Sequence, residues 1–188
     1  ALTAFGLDPE RTGDAVRRRA DVLAYAELHI EQGPVLEAES LPVGVVTAIN
    51  GFTRMRATLL GTAGHAGTVP MVLRADALAA AAECVLAIET IGRSAPELVA
   101  TVGRIEALPG AINVIPGEVR FTIDVRAPRD TLRNTAVARV RSELDRLCKA
   151  RGIGLTLETL QENGMAACAP WLMTQMDQAV AAEGVPVR

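Results

Sequence analysis

Residues 61–71 read Gly-Thr-Ala-Gly-His-Ala-Gly-Thr-Val-Pro-Met: one histidine among three glycines, two threonines and a proline. Such a segment cannot build a core. Glycines permit positive φ and close backbone approach, and Pro70 stops a helix or strand from running through. A strand-like run ends before the segment and a helix-like run begins after it. It therefore reads as a loop holding His65 between rigid elements, where binding and catalytic groups concentrate. A solvated surface histidine fits the same residues. His29, in Glu27-Leu-His-Ile-Glu-Gln-Gly33, sits near the end of a short, buried-looking apolar strand. It is either a hydrogen-bonded core histidine or a ligand group of the kind that gathers at strand ends. Asn113 lies in an apolar stretch between two turns. If buried, it must satisfy both donors and its acceptor, and an Asx-turn or strand-entry role is the alternative. Arg126 ends the outward face of a strand, where a guanidinium can clamp a carboxylate through two bonds or simply stand in solvent. Only two histidines are present. A metal centre normally takes three or four protein ligands, so any metal site must draw on carboxylates or on residues outside this chain.

Several elements must position these groups. Residues 43–49 are β-branched and nearly all apolar, the pattern of a strand buried on both faces. Asn50-Gly51 is a turn signal. Residues 52–60 alternate, with Met55, Ala57 and Leu59 on one face and Arg54, Arg56 and Thr58 on the other. After the His65 loop, residues 73–92 predict an Ala-rich helix with Leu78, Ala81, Val85 and Ile88 as its stripe and Gly92 as its C-cap. A strand is expected over 97–105 and a turn at 108–111. Residues 119–126 alternate most cleanly, with Val119, Phe121, Ile123 and Val125 inward. Residues 131–151 predict a second helix with Leu132, Ala136, Val140, Leu144 and Leu147 inward, closed by Gly152. A last strand is expected over 153–160 and a helix over 171–180.

From residue 52 to 161 the order is β-α-β-β-α-β. Half-buried strands and one-striped helices predict an α+β sandwich with one sheet face covered, the ferredoxin-like split βαβ. Residues 1–50 and 162–188 resemble parts of another domain into which the sandwich is inserted, so the chain is expected to be a piece of a longer protein.

Composition narrows the function classes. The chain has 188 residues, 49% hydrophobic and 22% charged, an ordinary globular balance. A net charge of −3 gives no electrostatic case for nucleic acid or an anionic membrane. A base-stacking RNA-binding sandwich fails on its lack of exposed strand aromatics, since aromatics make up 3% of the chain. No apolar run approaches the ~20 residues of a membrane span, and no signal peptide is visible. The three cysteines are scattered and odd in number, unlike a disulfide framework or metal knuckle, which points to a reducing cytoplasm.

Four ordered segments carry a family resemblance: residues 27–37 (ELHIEQGPVLE), 44–52 (GVVTAINGF), 64–70 (GHAGTVP) with Arg74-Ala-Asp-Ala77, and 111–126 (AINVIPGEVRFTIDVR). They resemble the amidase/hydantoinase/carbamoylase group of dinuclear-metal aminoacylase-like hydrolases, which includes N-carbamoyl-L-amino-acid hydrolases, β-ureidopropionases and allantoate amidohydrolases. The resemblance implies a metal-binding α/β domain interrupted by a ferredoxin-like lid and dimerisation domain. Residues 1–50 and 163–188 would be partial catalytic domain and 51–162 the lid. It further implies a homodimer, a small carbamoyl or ureido amino-acid substrate, and two divalent metal ions (Zn, Mn, Co or Ni) in the full-length protein, none stably held by this chain alone. His29 matches a metal ligand and Gln32 a substrate-contacting glutamine. His65 matches the histidine that reaches the partner's site and stabilises an oxyanion. Asn113 and Arg126 match substrate-binding residues, Arg126 through the substrate carboxylate. Val69 stands where the group commonly has a second threonine, which removes one hydroxyl from the loop. The remaining metal ligands and the general-base glutamate have no match in these residues. A non-catalytic folding and dimerisation module is the competing expectation.

Overall fold

The structure is a computed structural model that describes residues 1–188. In chain order its helices and strands are α1 (Val35–Ala38), β1 (Ala48–Ile49), β2 (Gly51–Leu60), β3 (Gly64–His65), α2 (Ala77–Gly92), β4 (Val99–Leu108), β5 (Val114–Ile115), β6 (Glu118–Ala127), α3 (Asp130–Ala150), β7 (Gly154–Asn163), β8 (Ala166–Ala167) and α4 (Pro170–Ala182). The chain divides into two compact units, one of residues 1–45 and 169–188, the other of 46–168.

The larger unit is a mixed α/β fold on an antiparallel sheet of order β4-β6-β2-β7. With α2 and α3 on one face, this is the ferredoxin-like arrangement expected from the element order. Its core is continuous. Met55, Ala57 and Leu59 of β2 and Val119, Phe121, Ile123 and Val125 of β6 meet Ala77, Ala80, Ala81, Cys84 and Ile88 of α2 and Ala136, Val140, Leu144 and Cys148 of α3. Fully burying a Leu, Ile or Phe here is worth roughly 1.5–3 kcal/mol, so the strict alternation of β2 and β6 decides which sheet face the helices cover. The opposite face is polar and cross-linked by pairs such as Arg56–Glu158 (3.3 Å).

Several expectations are corrected. Helix α2 starts at Ala77 rather than 73, because the Asp76 carboxylate accepts the N–H groups of Leu78 (2.9 Å) and Ala79 (3.1 Å). Its buried face is rotated from the expected stripe: Leu78 is 40% exposed, whereas Ala80 and Cys84 are fully buried. Gly92 is not a cap but the buried last residue of the helix. A Cβ there would lie 3.2 Å from Ala100 of β4, so Gly92 lets helix and strand close on each other. Gly51 is likewise not a turn residue; it opens β2. The compact unit reaches past 51–162 because β1 and β8 pair as a short ribbon, Ala48↔Ala167 and Ile49↔Ala166. In α3 the inward residues include Arg133, whereas Leu132 and Leu147 are only half-buried. Gly152 does close α3, in the left-handed region at φ 66, with the Ile153 N–H returning to the Cys148 carbonyl at 2.9 Å.

The smaller unit holds α1, α4 and three 3₁₀ turns, none with a buried residue. The Glu31 carboxylate caps α1 through the Val35 N–H (2.9 Å). The strand expected around His29 is absent: residues 25–30 have no regular structure, and Leu28 is 98% exposed. The doubly buried strand expected over 43–49 reduces to a parallel bridge, Val43↔Val187, and the two residues of β1. An apolar run becomes a buried strand only where neighbours pair with its edges and cover its faces. Residues 119–126 have such neighbours and these do not. No helix is long and apolar enough to cross a membrane.

Candidate functional site

The loop after β2 is a tightly knit backbone structure. The Gly61 N–H donates to the Gly117 carbonyl (2.8 Å) and the Thr62 N–H to the Ala75 carbonyl (2.8 Å). A Cβ on Gly61 would lie 2.1 Å from the Ala75 oxygen and one on Gly117 2.9 Å from the Ala63 nitrogen, so these crossings need glycine. Strand β3 then pairs with β5, His65 opposite Val114. The Thr68 and Val69 N–H groups both return to the His65 carbonyl at 3.2 Å. Arg74 ties the loop from below, Nε donating to the Val69 carbonyl (3.0 Å) and Nη2 to the Ala66 carbonyl (2.7 Å).

The His65 side chain is exposed, and its Nδ1 accepts the Gly67 N–H at 3.0 Å. An accepting Nδ1 assigns the neutral ring's proton to Nε2. The loop thus presents one N–H donor to solvent in a defined direction. A Cβ at Gly67 would crowd the ring at 3.2 Å from Cε1. Beside the loop stand Met71 (75% exposed), Val72 (90%), Leu73 (73%) and a fully exposed Ile112.

Asn113 is brought to His65 by the β3–β5 pairing: its carbonyl accepts the Ala66 N–H at 2.9 Å. It enters β5 and is exposed rather than buried, so its amide is open to a ligand.

Arg126 is held elsewhere. It lies on the uncovered face of β6, opposite Phe52 of β2 and Val99 of β4. Its guanidinium grips Asp124 through two bonds, Nε–Oδ1 2.9 Å and Nη2–Oδ2 2.7 Å. Arg54 shares that carboxylate at 3.2 Å and stacks on the Phe52 ring, 4.5 Å from its centroid. Burial pushes the Asp124 carboxyl up, but the hydrogen bonds from Arg126 and then Arg54 outweigh it and leave its pKa below the ordinary value. A shallow depression lined by Arg126, Asp124, Arg54, Val99 and Thr101 opens over this face.

The β2–β6 ladder separates the two centres. It runs from Leu60↔Glu118, where the His65 loop springs, to Phe52↔Arg126. At ~3.3 Å per residue that span is roughly 26 Å.

In the smaller unit, His29 is exposed and a ring nitrogen faces the Ile30 carbonyl. Gln32 is also exposed and held at φ 54, a left-handed conformation a non-glycine residue seldom adopts. No three His, Cys, Asp or Glu side chains come together as a metal-binding group. One imidazole is not a donor set for a metal pair, so these residues by themselves do not fit the two divalent ions the resemblance implies. Arg74, marked in the sequence only through the family resemblance, is the residue whose loop-tying role was not anticipated. Its partners are backbone carbonyls, which no side-chain pattern displays; an arginine closing an otherwise apolar segment after the loop was the available signal.

The larger unit is thus a split βαβ sandwich bearing a glycine-bounded histidine loop. Residues 47–152 match the sequence profile described as the Peptidase dimerisation domain (M20_dimer), and the chain belongs to that family. The N-carbamoyl-L-amino acid amidohydrolase of Geobacillus stearothermophilus is 40% identical over 186 residues, 99% of this chain and 46% of that protein. Allantoate deiminase 1 of Glycine max is 38% identical over 177 residues, 84% of this chain and 37% of that protein. The crystal structure of an amidase of the hydantoinase/carbamoylase family from Burkholderia multivorans superposes with a TM-score of 0.83 at 38% identity, covering 85% of this chain and 39% of that one. The chain spans less than half the length of these relatives.

Proposed function

We propose that this chain is the lid-bearing portion of a metal-dependent amidohydrolase that cleaves a carbamoyl or ureido C–N bond of an N-carbamoyl-amino acid or allantoate-like substrate, and that its active site is shared between two copies. The observation that carries the reading is the β2–β6 ladder, roughly 26 Å long, with Arg126 at one end and the His65 loop springing from the other. A carbamoyl amino acid is far shorter than that ladder, which favours contact with these groups from two chains. Each site then takes Arg126 from its own subunit and His65 with Asn113 from the partner.

The chemistry follows from the groups. Arg126 offers a planar, two-pronged donor to the substrate carboxylate, with Asp124 holding it in register until the substrate competes. His65, with Nε2–H outward, donates to the oxygen that gathers negative charge as the scissile carbonyl is attacked. Asn113, beside it, supplies donors and an acceptor for the ureido group. The exposed Met71, Val72, Leu73 and Ile112 give the loop an apolar rim suited to insertion against another surface. His29 is read as one metal ligand and Gln32 as a substrate contact of the larger domain, both on the family resemblance; the strained backbone of Gln32 fits a residue held for function. Three unpaired thiols fit a reducing cytoplasm.

The test is hydrolysis by the full-length protein, supplied with Mn²⁺, Co²⁺ or Zn²⁺, of N-carbamoyl-L-amino acids, 3-ureidopropionate and allantoate. Turnover of at least one is expected. A metal-loaded, folded dimer that cleaves none would leave only a dimerisation module.

A further inference from the structure

The N-terminus of α3 carries a buried cation that no substrate reading uses. Arg133 is 3% exposed. Its Nη1 donates to Asp130 Oδ1 (2.7 Å) and to the Asn163 carbonyl (2.7 Å), and its Nη2 to Asn134 Oδ1 (3.0 Å). Glu162 lies 3.5 Å from Nη2. Asp130 Oδ1 also accepts the Met165 N–H at 3.0 Å. The first residue of β2 closes the arrangement. A Cβ on Gly51 would lie 2.3 Å from Arg133 Nη1, 2.7 Å from Asp130 Oδ1 and 2.8 Å from the Met165 nitrogen. The knot of Arg133 and Asp130 thus bonds Asn163 and Met165, at the end of β7 and beyond it, and Gly51, at the start of β2, packs against it so closely that no side chain would fit there. These are the places where the two segments connecting the compact units, 45–51 and 163–169, reach the sheet. Between the knot and the unit boundary those segments pair as β1 and β8, and the Cys168 N–H donates to the Thr47 carbonyl at 3.0 Å.

Arg133 pairs incompletely, since its buried Nε has no partner. A buried charge with an orphan donor costs stability, and an apolar side chain would fill the space without that cost. What an apolar side chain cannot do is bond the Asp130 carboxylate of α3 and the Asn163 carbonyl at the end of β7 at once, while Gly51 packs closely against the same pair. Gly51 pairs with Ala127 and Phe52 with Arg126, so the knot lies under the end of the sheet that carries Arg126.

We propose that Arg133 and Asp130 are a positioning pair, a pivot that seats both connecting strands on the sandwich and fixes the sheet end presenting Arg126. The kinetic half of this rests on the substrate role given to Arg126 above; the mechanical half does not.

Hydrogen exchange of this chain tests the mechanical half. In the wild type the Met165 amide, outside the four-stranded sheet, should exchange as slowly as amides in the middle of β2, because its acceptor is held by a buried guanidinium. In Arg133→Lys and in the shape-preserving Asp130→Asn, exchange over 46–51 and 163–168 should quicken roughly tenfold or more, with α2 and the centre of β6 unchanged. A fast wild-type Met165 amide, no change in the variants, or quickening spread evenly over the sheet would overturn the pivot. In the full-length enzyme, both variants should raise KM for carboxylate-bearing substrates about tenfold while kcat stays within about twofold. A fall in kcat matching the loss of folded protein would overturn the positioning role. If the wild-type enzyme cleaves none of these substrates, the functional reading falls and the exchange result still decides the pivot.

Discussion

At the scale of single residues, His65 and Arg126 are prepared for different tasks. His65 is oriented with Nε2 outward because the Gly67 N–H occupies Nδ1. Arg126 is a cation already neutralised by Asp124. Removing them should therefore have different kinetic signatures. Arg126→Ala in the full-length enzyme should raise KM for a carboxylate substrate by roughly 10- to 150-fold, the worth of about 1.5–3 kcal/mol for a charge-assisted bond. His65→Ala should instead lower kcat by ~10²–10³ with little change in KM. Steady-state kinetics of the two variants decide this, and an exchange of the two signatures would reverse the roles. The exposed histidine loop was visible in the sequence, because a segment of glycines, threonines and proline cannot pack a core. Arg74 was not, since its bonds go to carbonyls that the chain brings near only after folding. Arg133 has no place in the expected stripe of α3, since nothing in a helical pattern marks a guanidinium that folding will bury.

At the scale of elements, legibility followed contrast and neighbours. The alternation of β6 could be read directly because one face is apolar and the other charged. The inner face of α2 was legible only at Ala81 and Ile88, because Ala77, Ala80 and Cys84 are also small and its outer face carries Leu78 and Leu86. Periodicity weights side-chain hydrophobicity, and small residues carry little of it. What they do carry is close approach. Cys84 of α2 and Cys148 of α3 are both buried where the helices meet. Burial first, and the neighbouring Cys148 next, push the Cys84 thiol up from 9.0 to about 12. Between those values the unfolded chain ionises Cys84 and the folded chain keeps it protonated, so the native state holds more protons and loses stability as pH rises. The sandwich should keep its Tm up to about pH 9 and lose it above, with a gentler loss in Cys84→Ala. Thermal melts of the two proteins over that range check this, and equal slopes would remove Cys84 as a cause.

At the scale of the whole molecule, Arg126 lies at one end of the β2–β6 ladder and the His65 loop springs from the other. If each active site takes Arg126 from one chain and His65 from the other, defects in the two residues complement. Mixing Arg126→Ala, assayed at substrate well below its raised KM, with nearly inactive His65→Ala should produce heterodimers with one intact site and one doubly defective site. Random pairing would then restore about one quarter of wild-type activity. An assay of the mixture after subunit exchange tests this; no recovery would place both residues on the same side of the interface. The β2–β6 ladder acquires a further meaning here: it is a ruler. Its length sets the spacing between two catalytic addresses, whereas the identity of its outward middle residues, such as Thr58 and Thr122, does not. Substitutions along the outer face should therefore be cheap. Removing two residues from each of β2 and β6 keeps every side chain on its proper face but shortens the ruler by about 7 Å, and should yield a folded dimer whose paired sites no longer meet their substrate.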